Sequence, residues 1–402
     1  IILSVDFFFI QYINCIKCNF LYIKDLFNTF CLKRTEFEDI TFIILNDKVY
    51  PKNIQFTFSI KKDYYLFLIH IANKLPEEYV IKMPYIKDNL PYDVPYHIYI
   101  DPSNLCNFKC NFCPTGNTTL MKNIQRPAGM MKMTTFKKII DDLKLMVKKY
   151  KKKPSMIALF KDGEPLLNPN LPDMIRLINE SNLSDTLHIT SNGSLLNNSL
   201  SKKLIESGLK DIRFSIYGVD DGSYKTNVNK NIQYEKIRKN ISEFWSVNKS
   251  YGYPVKIICK IMDIYSNKQI EKFKNQFSDI CNTLIIDKFH KWSDSESWDI
   301  KGKQKKIDNT EKDFLCAQPF SRLTVLFNGD VTPCCVDWSH KLVVGNINSD
   351  SLDHIWNSLC NKIRHQHIKN LFPEDSPCIK CDYKSKRTKY DKIYNQNNSL
   401  NK

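Results

Sequence analysis

The sequence predicts an α/β protein whose core is an open, partial (β/α)6 TIM-like barrel. Between residues 96 and 290, short runs of β-branched and aromatic residues alternate with segments whose apolar residues recur at helical spacing. This alternation predicts parallel strands joined by right-handed crossovers. Six such units over about 190 residues fit an open barrel better than a closed eightfold one. In parallel α/β folds ligands bind at the carboxyl ends of the strands, so the segments that follow each strand are the candidates for function.

The six predicted strands cover residues 96–100, 155–160, 186–190, 211–217, 255–262 and 283–287. The predicted helices between them cover residues 134–150, 171–179, 199–207, 234–247 and 268–277. The helical pattern is clearest in the first of these, which carries apolar residues at Phe136, Ile139, Ile140, Leu143 and Val147. Gly208 follows the third helix and is a favoured residue for ending it.

The regions outside the barrel are predicted with less detail. Residues 1–95 form an N-terminal extension of unclear fold, with strand-like runs at 54–60 and 64–71. The Cys15 and Cys18 thiols lack a second pair, so ordinary cysteines are favoured there over half of a metal site. Residues 305–385 are predicted to form a small C-terminal α+β domain, and residues 386–402 a polar tail that frays.

Composition limits the classes of partner and the compartment. The net charge is +16, but the lysines are spread along the chain and form no basic stripe interleaved with aromatic residues. We therefore expect a solvated basic surface and no nucleic-acid partner. No apolar run approaches the roughly 20 residues of a membrane-spanning helix, and no signal peptide is recognisable. Most of the 14 cysteines fall in two groups, which suits metal binding in a reducing compartment, so we expect a cytoplasmic protein without membrane association.

The first cysteine group directly follows the first predicted strand. Cys106, Cys110 and Cys113 form a C-x3-C-x2-C pattern, with three thiols in eight residues and no fourth ligand nearby. A tetrahedral zinc site needs four ligands, and a disulfide would leave one thiol over. A cubane iron–sulfur cluster held by only three thiolates leaves one iron open to bind something else.

This spacing, together with Phe112 and Asn107, resembles the radical S-adenosylmethionine (SAM) enzymes. The resemblance implies a 4Fe–4S cluster whose open iron binds the amino and carboxylate groups of SAM. One electron from the reduced cluster then cleaves SAM to methionine and a 5′-deoxyadenosyl radical, which removes a hydrogen atom from the substrate. The resemblance also implies that Phe112 packs on the adenine of SAM.

A glycine-containing segment after the second predicted strand adds to the resemblance. Related Gly-Glu-Pro segments bind the methionine amine in the family, which assigns that role to Gly163 and Glu164. Asp162 departs from the pattern, since a glycine is common at its position in the family.

Three later strand ends complete the SAM site that the resemblance implies. Asn192 lies in a Ser-Asn-Gly turn and either contacts SAM or shapes the turn. Ser215 begins a Ser-Ile-Tyr-Gly segment that resembles the ribose-contacting segment of the family. Lys260 is a charged residue in an apolar strand, so it points either to the site or to solvent, and we assign it to the SAM carboxylate.

The second cysteine group lies near the C-terminus. An Asn328–Gly329 pair predicts a hairpin that brings cysteines together, and the four thiols of the candidate site are Cys316, Cys334, Cys378 and Cys381. A zinc ion held by four cysteines is one interpretation. The glycine spacing before Cys334 resembles the SPASM/Twitch extension of radical SAM enzymes, which implies one auxiliary 4Fe–4S cluster. Cys335 is the neighbour that could replace Cys334.

The leading functional prediction is a radical SAM enzyme whose auxiliary cluster assists electron transfer. A sugar or another small molecule is preferred as substrate, with an electron donor such as flavodoxin or ferredoxin as partner. The first alternative is maturation of a ribosomal peptide, for which residues 1–95 would bind the leader. The second is a non-catalytic metal-binding scaffold that interacts with RNA or protein.

Overall fold

The computed structural model describes residues 92–287, 316–369, 371–379 and 381, together with two short strands near the N-terminus. Those strands, β1 (Thr41–Ile43) and β2 (Gln55–Thr57), pair antiparallel, and β2 lies in a run predicted as a strand. The chain divides into two compact units, Ile1–Asn89 and Leu90–Lys402. The Cys15–Cys18 pair, the predicted run at 64–71 and the polar tail lie outside the described residues.

The second unit is organised around one nine-stranded sheet, ordered β11-β10-β9-β3-β4-β5-β6-β7-β8. Strands β3 to β8 pair in parallel with their sequence neighbours, which confirms the predicted six-stranded barrel core. These strands are β3 (His97–Ile100), β4 (Met156–Leu159), β5 (Thr186–Ser191), β6 (Asp211–Ile216), β7 (Lys256–Met262) and β8 (Thr283–Asp287).

The helices between the strands begin and end close to the predicted residues. In chain order the helices of the barrel are α1 (Thr118–Asn123), α2 (Met133–Tyr150), α3 (Leu171–Glu180), α4 (Asn198–Glu206), α5 (Asp221–Val228), α6 (Tyr234–Ser250) and α7 (Asn267–Phe277). Helices α1 and α5 were not predicted. Helix α5 begins with a capping box at Asp220 and Ser223, and it buries only Tyr224 and Val228, so it lacks a full apolar stripe.

The two faces of the sheet differ in polarity. Along β6 the residues Ile212, Phe214 and Ile216 are buried among the helices' apolar side chains, whereas Arg213 and Ser215 are only partly buried. This alternation follows from the two-residue period of a strand, which sends successive side chains to opposite faces. On β6 the partly buried face therefore carries the polar side chains Arg213 and Ser215, and it is the inner face of the open barrel.

The C-terminal region continues the same sheet. Strand β9 (Arg322–Val325) pairs parallel with β3 and antiparallel with β10 (Asp330–Thr332), which pairs with β11 (Gly345–Asn346). Gly329 has a φ of +91°, the conformation the predicted Asn-Gly hairpin turn requires. This places the second cysteine group beside the first strand of the barrel.

The remaining elements of the C-terminal region are short helices. They are α8 (Gln318–Ser321), α9 (Leu352–His354), a π-helical turn at Ile355–Leu359 and α10 (Asn361–Lys369). Cys360, predicted to pack within this helical stretch, is fully buried in the core. Among the residues that the structure describes, no helix combines the length and apolar character needed to cross a membrane.

Candidate active site and cluster sites

The first cysteine loop lies at the carboxyl end of β3 and is held by the end of α5. The backbone N–H of Lys109 donates to the Val228 carbonyl at 3.1 Å, and that of Asn111 donates to the Asn227 carbonyl at 3.0 Å. Since α5 was not predicted, this support for the loop was not foreseen from the sequence. Its main sequence signal is the Asp220-x2-Ser223 capping pattern.

The three thiols of this loop lie close enough to influence one another electrostatically. Burial raises the pKa of Cys106 to about 12, and the charges of neighbouring groups, Cys113 among them, add to the effect. The pKa of Cys110 is raised by burial and by both other thiols. Thiols in such surroundings ionise only when a cation binds them, and iron coordination supplies that charge.

Backbone N–H groups point at two of the sulfurs. The N–H of Phe108 donates to Cys106 Sγ at 3.4 Å. Hydrogen bonds from the backbone of Thr115 and Gly116 oppose the rise that burial causes in the Cys113 pKa. Such donors stabilise anionic sulfur. Three clustered thiols with donors aimed at them therefore fit the three-cysteine cluster that the sequence predicts.

Gly163 lets the segment after β4 approach this loop. A Cβ atom at this position would overlap the carbonyl oxygens of Ser103 and Leu105, so no side chain fits there. The approach is closed by a hydrogen bond of 2.9 Å from the Glu164 N–H to the Leu105 carbonyl. The glycine predicted from the family pattern is thus required by backbone contact.

The Glu164 carboxylate is buried, and protein donors use three of its acceptor positions. Its Oε1 accepts from Leu166 N at 3.1 Å and from Ser191 Oγ at 2.8 Å, and its Oε2 accepts from Asn192 N at 2.8 Å. A carboxylate offers about four acceptor positions, so one position on Oε2 can still accept a hydrogen bond. Burial raises the Glu164 pKa to about 7, and these three hydrogen bonds oppose the rise.

Asn192 ties its turn to the cysteine loop. Its Nδ2 donates to Asn107 Oδ1 at 2.9 Å, and its Oδ1 accepts from the N–H and hydroxyl of Ser194 at 2.9 and 2.6 Å. Asn107 Nδ2 also donates to Ser194 Oγ at 2.7 Å. The sequence left two roles open for Asn192, and these bonds show that it shapes the turn; its contact with SAM stays a prediction.

Phe112 and Ser215 lie near one tyrosine at the end of β6. The Phe112 ring is nearly buried and its centroid lies 5.4 Å from that of Tyr217. Burial raises the pKa of Tyr217, the charges of Cys110 and Cys106 add to the rise, and a hydrogen bond with Ser215 opposes it. Tyr217 thus lies between Phe112 of the cysteine loop and Ser215 at the end of β6.

Lys260 is only partly exposed and pairs with an acidic residue. Its Nζ lies 2.9 Å from Asp287 Oδ2 at the end of β8. Burial lowers the Lys260 pKa and the charge of Arg213 lowers it further. Ser215 and Lys260 are register partners on β6 and β7, so their side chains share the inner face.

An aromatic and cationic group lies on the same inner face. The Arg213 guanidinium lies 5.3 Å from the centroid of the Phe160 ring, which makes edge contacts with Tyr99 and His188. Burial lowers the pKa of His188 to about 3, and the Arg213 charge adds to this effect. His188 is therefore neutral at physiological pH, and the positive charge here belongs to arginine.

The structure brings the four C-terminal cysteines into one neighbourhood. Burial raises the pKa of Cys334, and the charges of Cys335, Asp337, Cys316 and Cys381 contribute to the rise in that order. Burial raises the pKa of Cys378 to about 12, with contributions from Cys316 and Cys381. This arrangement fits a cluster ligated by four thiolates at separate irons. Within the described ranges, neither cysteine group has three Cys, His, Asp or Glu side chains already arranged around a single metal-ion position.

Cys335 makes contacts that differ from those of Cys334. Its Sγ lies 3.9 Å from Arg322 Nη1 and 3.7 Å from Gln318 Oε1. Its charge also contributes to the raised pKa of Tyr99, whose side chain lies on the inner face of β3. These contacts favour Cys334 as the cluster ligand and Cys335 as a residue of the barrel interior.

Comparison with known proteins agrees with the two predicted regions. Residues 100–275 match the Radical SAM superfamily, and residues 316–382 match the iron–sulfur cluster-binding domain called SPASM. The structure of Streptococcus suis SuiB aligns with a TM-score of 0.53 at 16% identity, covering 72% of this chain and 71% of that one. This likeness shows a shared fold.

The curated relatives match only part of this chain and only part of their own length. A GTP 3′,8-cyclase of Staphylococcus epidermidis is 26% identical over 201 residues, which are 46% of this chain and 54% of that protein. A dTDP-4-amino-4,6-dideoxy-D-glucose ammonia-lyase of Streptomyces venezuelae is 24% identical over 163 residues, 40% of this chain and 32% of that protein. The chain spans about half the length of the first of these relatives.

The family matches fall on the barrel and on the cysteine-bearing hairpin, the same two regions that the cysteine spacing singled out. The first region implies a 4Fe–4S cluster and SAM as cofactors, and the second implies an auxiliary iron–sulfur cluster. The chain belongs to the radical SAM superfamily and carries a C-terminal iron–sulfur domain of the SPASM type.

Proposed function

We propose that this protein is an enzyme that cleaves SAM reductively and removes a hydrogen atom from a small-molecule substrate. The observation that carries the proposal is the set of three thiols, Cys106, Cys110 and Cys113, which lie close to one another after the first barrel strand, in a loop that contains no fourth cysteine. When bound, the cluster supplies the electron that converts SAM to methionine and the 5′-deoxyadenosyl radical.

The protein's part is to bind and orient SAM. Glu164 receives the methionine ammonium at the acceptor position left on Oε2, and the ammonium charge stabilises the ionised carboxylate. Gly163 supports this by bringing the turn against the cysteine loop. Phe112 packs on the adenine, while Asn192 and Ser215 contact SAM through their polar groups. Lys260 binds the SAM carboxylate, since its Nζ lies on the inner face and its partner Asp287 is partly exposed.

The auxiliary 4Fe–4S cluster is held by Cys316, Cys334, Cys378 and Cys381. The shared electrostatic neighbourhood of these four thiols supports the assignment. When bound, this cluster would supply a second one-electron redox centre beside the barrel, and an electron donor such as flavodoxin or ferredoxin is the partner we propose. Because unprotected thiol clusters need a reducing compartment, we place the protein in the cytoplasm.

The substrate class we propose is an anionic small molecule, and in particular a sugar that carries phosphate. Arg213 lies on the inner face of the barrel, and the charge of Arg322 acts on Tyr99 of the same face. Arginine suits phosphate because its guanidinium binds two oxygens at once. The names of the two curated relatives include GTP and a dTDP-linked sugar, which supports a phosphate-bearing substrate.

The first test is anaerobic reconstitution with iron and sulfide, followed by incubation with SAM and dithionite. We expect 5′-deoxyadenosine and methionine in equal amounts, measured by mass spectrometry, and about eight irons per chain, as two cubanes require. Absence of 5′-deoxyadenosine from a fully loaded protein would refute the enzyme proposal. About four irons and one zinc would refute the auxiliary cluster and favour the four-cysteine zinc site.

The second test addresses the substrate class. Nucleotide-linked hexoses, their unphosphorylated parent sugars and unrelated peptides are compared for their ability to stimulate 5′-deoxyadenosine formation. We expect stimulation by the phosphate-bearing compounds, and an Arg213→Gln variant should raise their KM about tenfold or more, since a bidentate charge-assisted bond is lost. Stimulation by a peptide alone would favour the ribosomal-peptide alternative.

A further inference from the structure

Asp162 is the centre of a buried charge network that the cofactor assignments do not use. Its Oδ1 lies 2.7 Å from Lys161 Nζ, and its Oδ2 lies 2.7 Å from His340 Nε2 and 3.6 Å from Arg126 Nη1. The side chains of Lys161, Asp162 and Arg126 are 1%, 2% and 4% exposed, and that of His340 is 11% exposed. We call these four residues the Asp162 bridge.

The bridge joins three segments that are remote in sequence. Arg126 donates through Nη2 to Thr115 Oγ1 at 2.8 Å, two residues after Cys113. Asp162 itself directly precedes Gly163 of the turn assigned to SAM. On the C-terminal side, Arg126 Nη1 donates to the Trp338 carbonyl at 2.9 Å and Lys161 Nζ to the Asp337 carbonyl at 3.1 Å.

On the C-terminal side, the Asp162 bridge contacts a turn that has its own internal hydrogen bonds. The fully buried Asp337 carboxylate accepts from the N–H groups of Lys341 and Leu342 at 3.1 and 2.8 Å. It also accepts from the hydroxyls of Thr332 and Ser339, both at 3.3 Å. These bonds join residues 337–342 into one hydrogen-bonded turn, which begins three residues after Cys334.

Trp338 lies close to the first cysteine loop. It is 4% exposed. A small cavity separates it from the first cysteine loop, and that cavity is lined by Cys113, Pro114, Thr115, Lys161, Asp162 and Trp338. The turn after Cys334 thus faces the Cys113 end of the first loop directly, and the Asp162 bridge surrounds the junction.

We infer that Asp162 is a positioning residue that holds the turn at residues 337–342, and with it the auxiliary-cluster cysteines, at a fixed separation from the first cluster site. The inference rests on the proposed two-cluster function. A buried ion pair contributes little net stability, but it specifies one arrangement because any other leaves charges buried without partners. Glycine, the residue common here in the family, could not link Lys161, Arg126 and His340.

The test compares the electron paramagnetic resonance (EPR) spectra of dithionite-reduced, fully loaded proteins. The reference is the sum of the spectra of two single-cluster variants, Cys106→Ala and Cys378→Ala. We expect the wild-type spectrum to depart from this sum because two paramagnetic clusters at fixed separation interact. The Asp162→Asn variant should keep its iron, and its spectrum should differ from wild type and lie closer to the sum.

Hydrogen exchange supplies a second readout on the same loaded proteins. We expect amide exchange at residues 337–342 to rise about tenfold in Asp162→Asn, since local opening costs less once the bridge is broken. The matched control is Asp173→Asn, which removes an exposed pair 2.6 Å from Arg176 and should change neither readout. If Asp162→Asn does not fold, His340→Gln at the edge of the bridge takes its place and should show a smaller change in the same direction.

A wild-type spectrum equal to the sum, or variant spectra and exchange equal to wild type, would overturn the inference. Failure of the proposed function has a different signature. In that case the wild-type protein forms no 5′-deoxyadenosine, whatever the EPR spectra show. Formation of 5′-deoxyadenosine in the wild type with an unchanged Asp162→Asn spectrum rejects the positioning role alone.

Discussion

The first cysteine site draws three thiols from one loop of eight residues, whereas the C-terminal site draws four from segments that span residues 316–381. The first loop follows a single strand, β3, and it is held by hydrogen bonds to the end of α5, to Glu164 and to the turn at Asn192. The second site depends on the pairing of β9 with β3 and on the hairpin that β9 forms with β10.

This difference separates a site that local sequence specifies from one that the sheet assembles. A change in the first loop should act on one cluster directly. A change in the second region acts through packing as well as through ligation, because its cysteines meet only when distant strands pair. The contrast can be tested by substitutions in each site and by the pH dependence of stability.

Replacing one thiol of the first loop should abolish SAM cleavage. In Cys106→Ala the three-ligand set is broken, so we expect iron to fall from about eight to about four per chain and 5′-deoxyadenosine to fall to background. Iron analysis and mass spectrometry check both. The control is Cys281→Ala, a buried cysteine outside both groups, which should keep the full iron content. Retained cleavage in Cys106→Ala would contradict the local site.

Replacing a thiol of the C-terminal site should remove iron without stopping SAM cleavage. For Cys378→Ala we expect about four irons per chain and a rate of 5′-deoxyadenosine formation within about twofold of wild type. Cys335→Ala should keep about eight irons, since Cys334 is the assigned ligand.

The control for this second variant is Cys360→Ala. Cys360 is fully buried, so its replacement should lower the free energy of unfolding by about 1 kcal/mol and leave iron unchanged. If Cys335→Ala and not Cys334→Ala loses four irons, the ligand assignment is wrong.

A side chain at Gly163 should weaken SAM binding by disturbing the approach of two loops. In Gly163→Ala the new Cβ overlaps the carbonyls of Ser103 and Leu105, so the turn must shift. We expect a cost of about 2 kcal/mol in unfolding free energy and about tenfold weaker SAM binding, which corresponds to about 1.4 kcal/mol. Denaturant titration and equilibrium dialysis with SAM measure the two effects.

Gly222→Ala is the matched control for that change. Its Cβ would meet only Asp220 Oδ1, at 3.6 Å, and it lies within α5, so the substitution should be neutral or slightly stabilising. Equal behaviour of the two alanine variants would show that the close approach at Gly163 has no role in SAM binding.

The buried Glu164 should give the unliganded chain a stability that falls as pH rises. Its pKa is about 7 in the folded protein, raised from the ordinary 4.5, so the folded state binds more protons between these values. Stability from this group is complete below about pH 4.5 and is lost as pH rises through about 7, by about 3 kcal/mol at most.

The measurement is the free energy of unfolding from pH 4.5 to 8 without SAM. Glu164→Gln cannot ionise and should show a flatter profile than wild type. Its amide nitrogen would meet N–H and O–H donors that now bond to the carboxylate, so its stability should be lower at every pH. Glu180→Gln, at an exposed position, should follow the wild-type profile. Identical slopes for wild type and Glu164→Gln would contradict the raised pKa.

Much of the barrel followed from local patterns. The strand ends and most helix ends lie within one residue of the predicted ones, because the two-residue and 3.6-residue periods are properties of the backbone. Helix α6 was predicted to end at residue 247 and runs to Ser250. Helix α5 escaped prediction because only Tyr224 and Val228 are buried in it, and with it the support for the cysteine loop was missed.

In the candidate site, too, the sequence predicted some residues and missed the contacts of others. The family pattern singled out Gly163, and the structure supplies the reason, since backbone fills the space of its missing side chain. Lys260 had two possible directions because its alternation in the strand does not say which face is inner. Asp162 was noticed as a departure from the family, but its partner His340 lies 178 residues away and no local rule connects them.

By itself the sequence determined the order of strands and helices, the three-thiol loop and the two cysteine groups, because spacing along the chain sets which side chains share a face or a loop. The tertiary structure decided that the C-terminal hairpin joins the barrel sheet, that Cys334 and Cys335 differ in their contacts, and that Asp162 links the two cluster regions. Contacts between remote segments depend on which strands pair and which charges lose their water. Spacing along the chain predicts neither the strand pairing nor the burial of these charges.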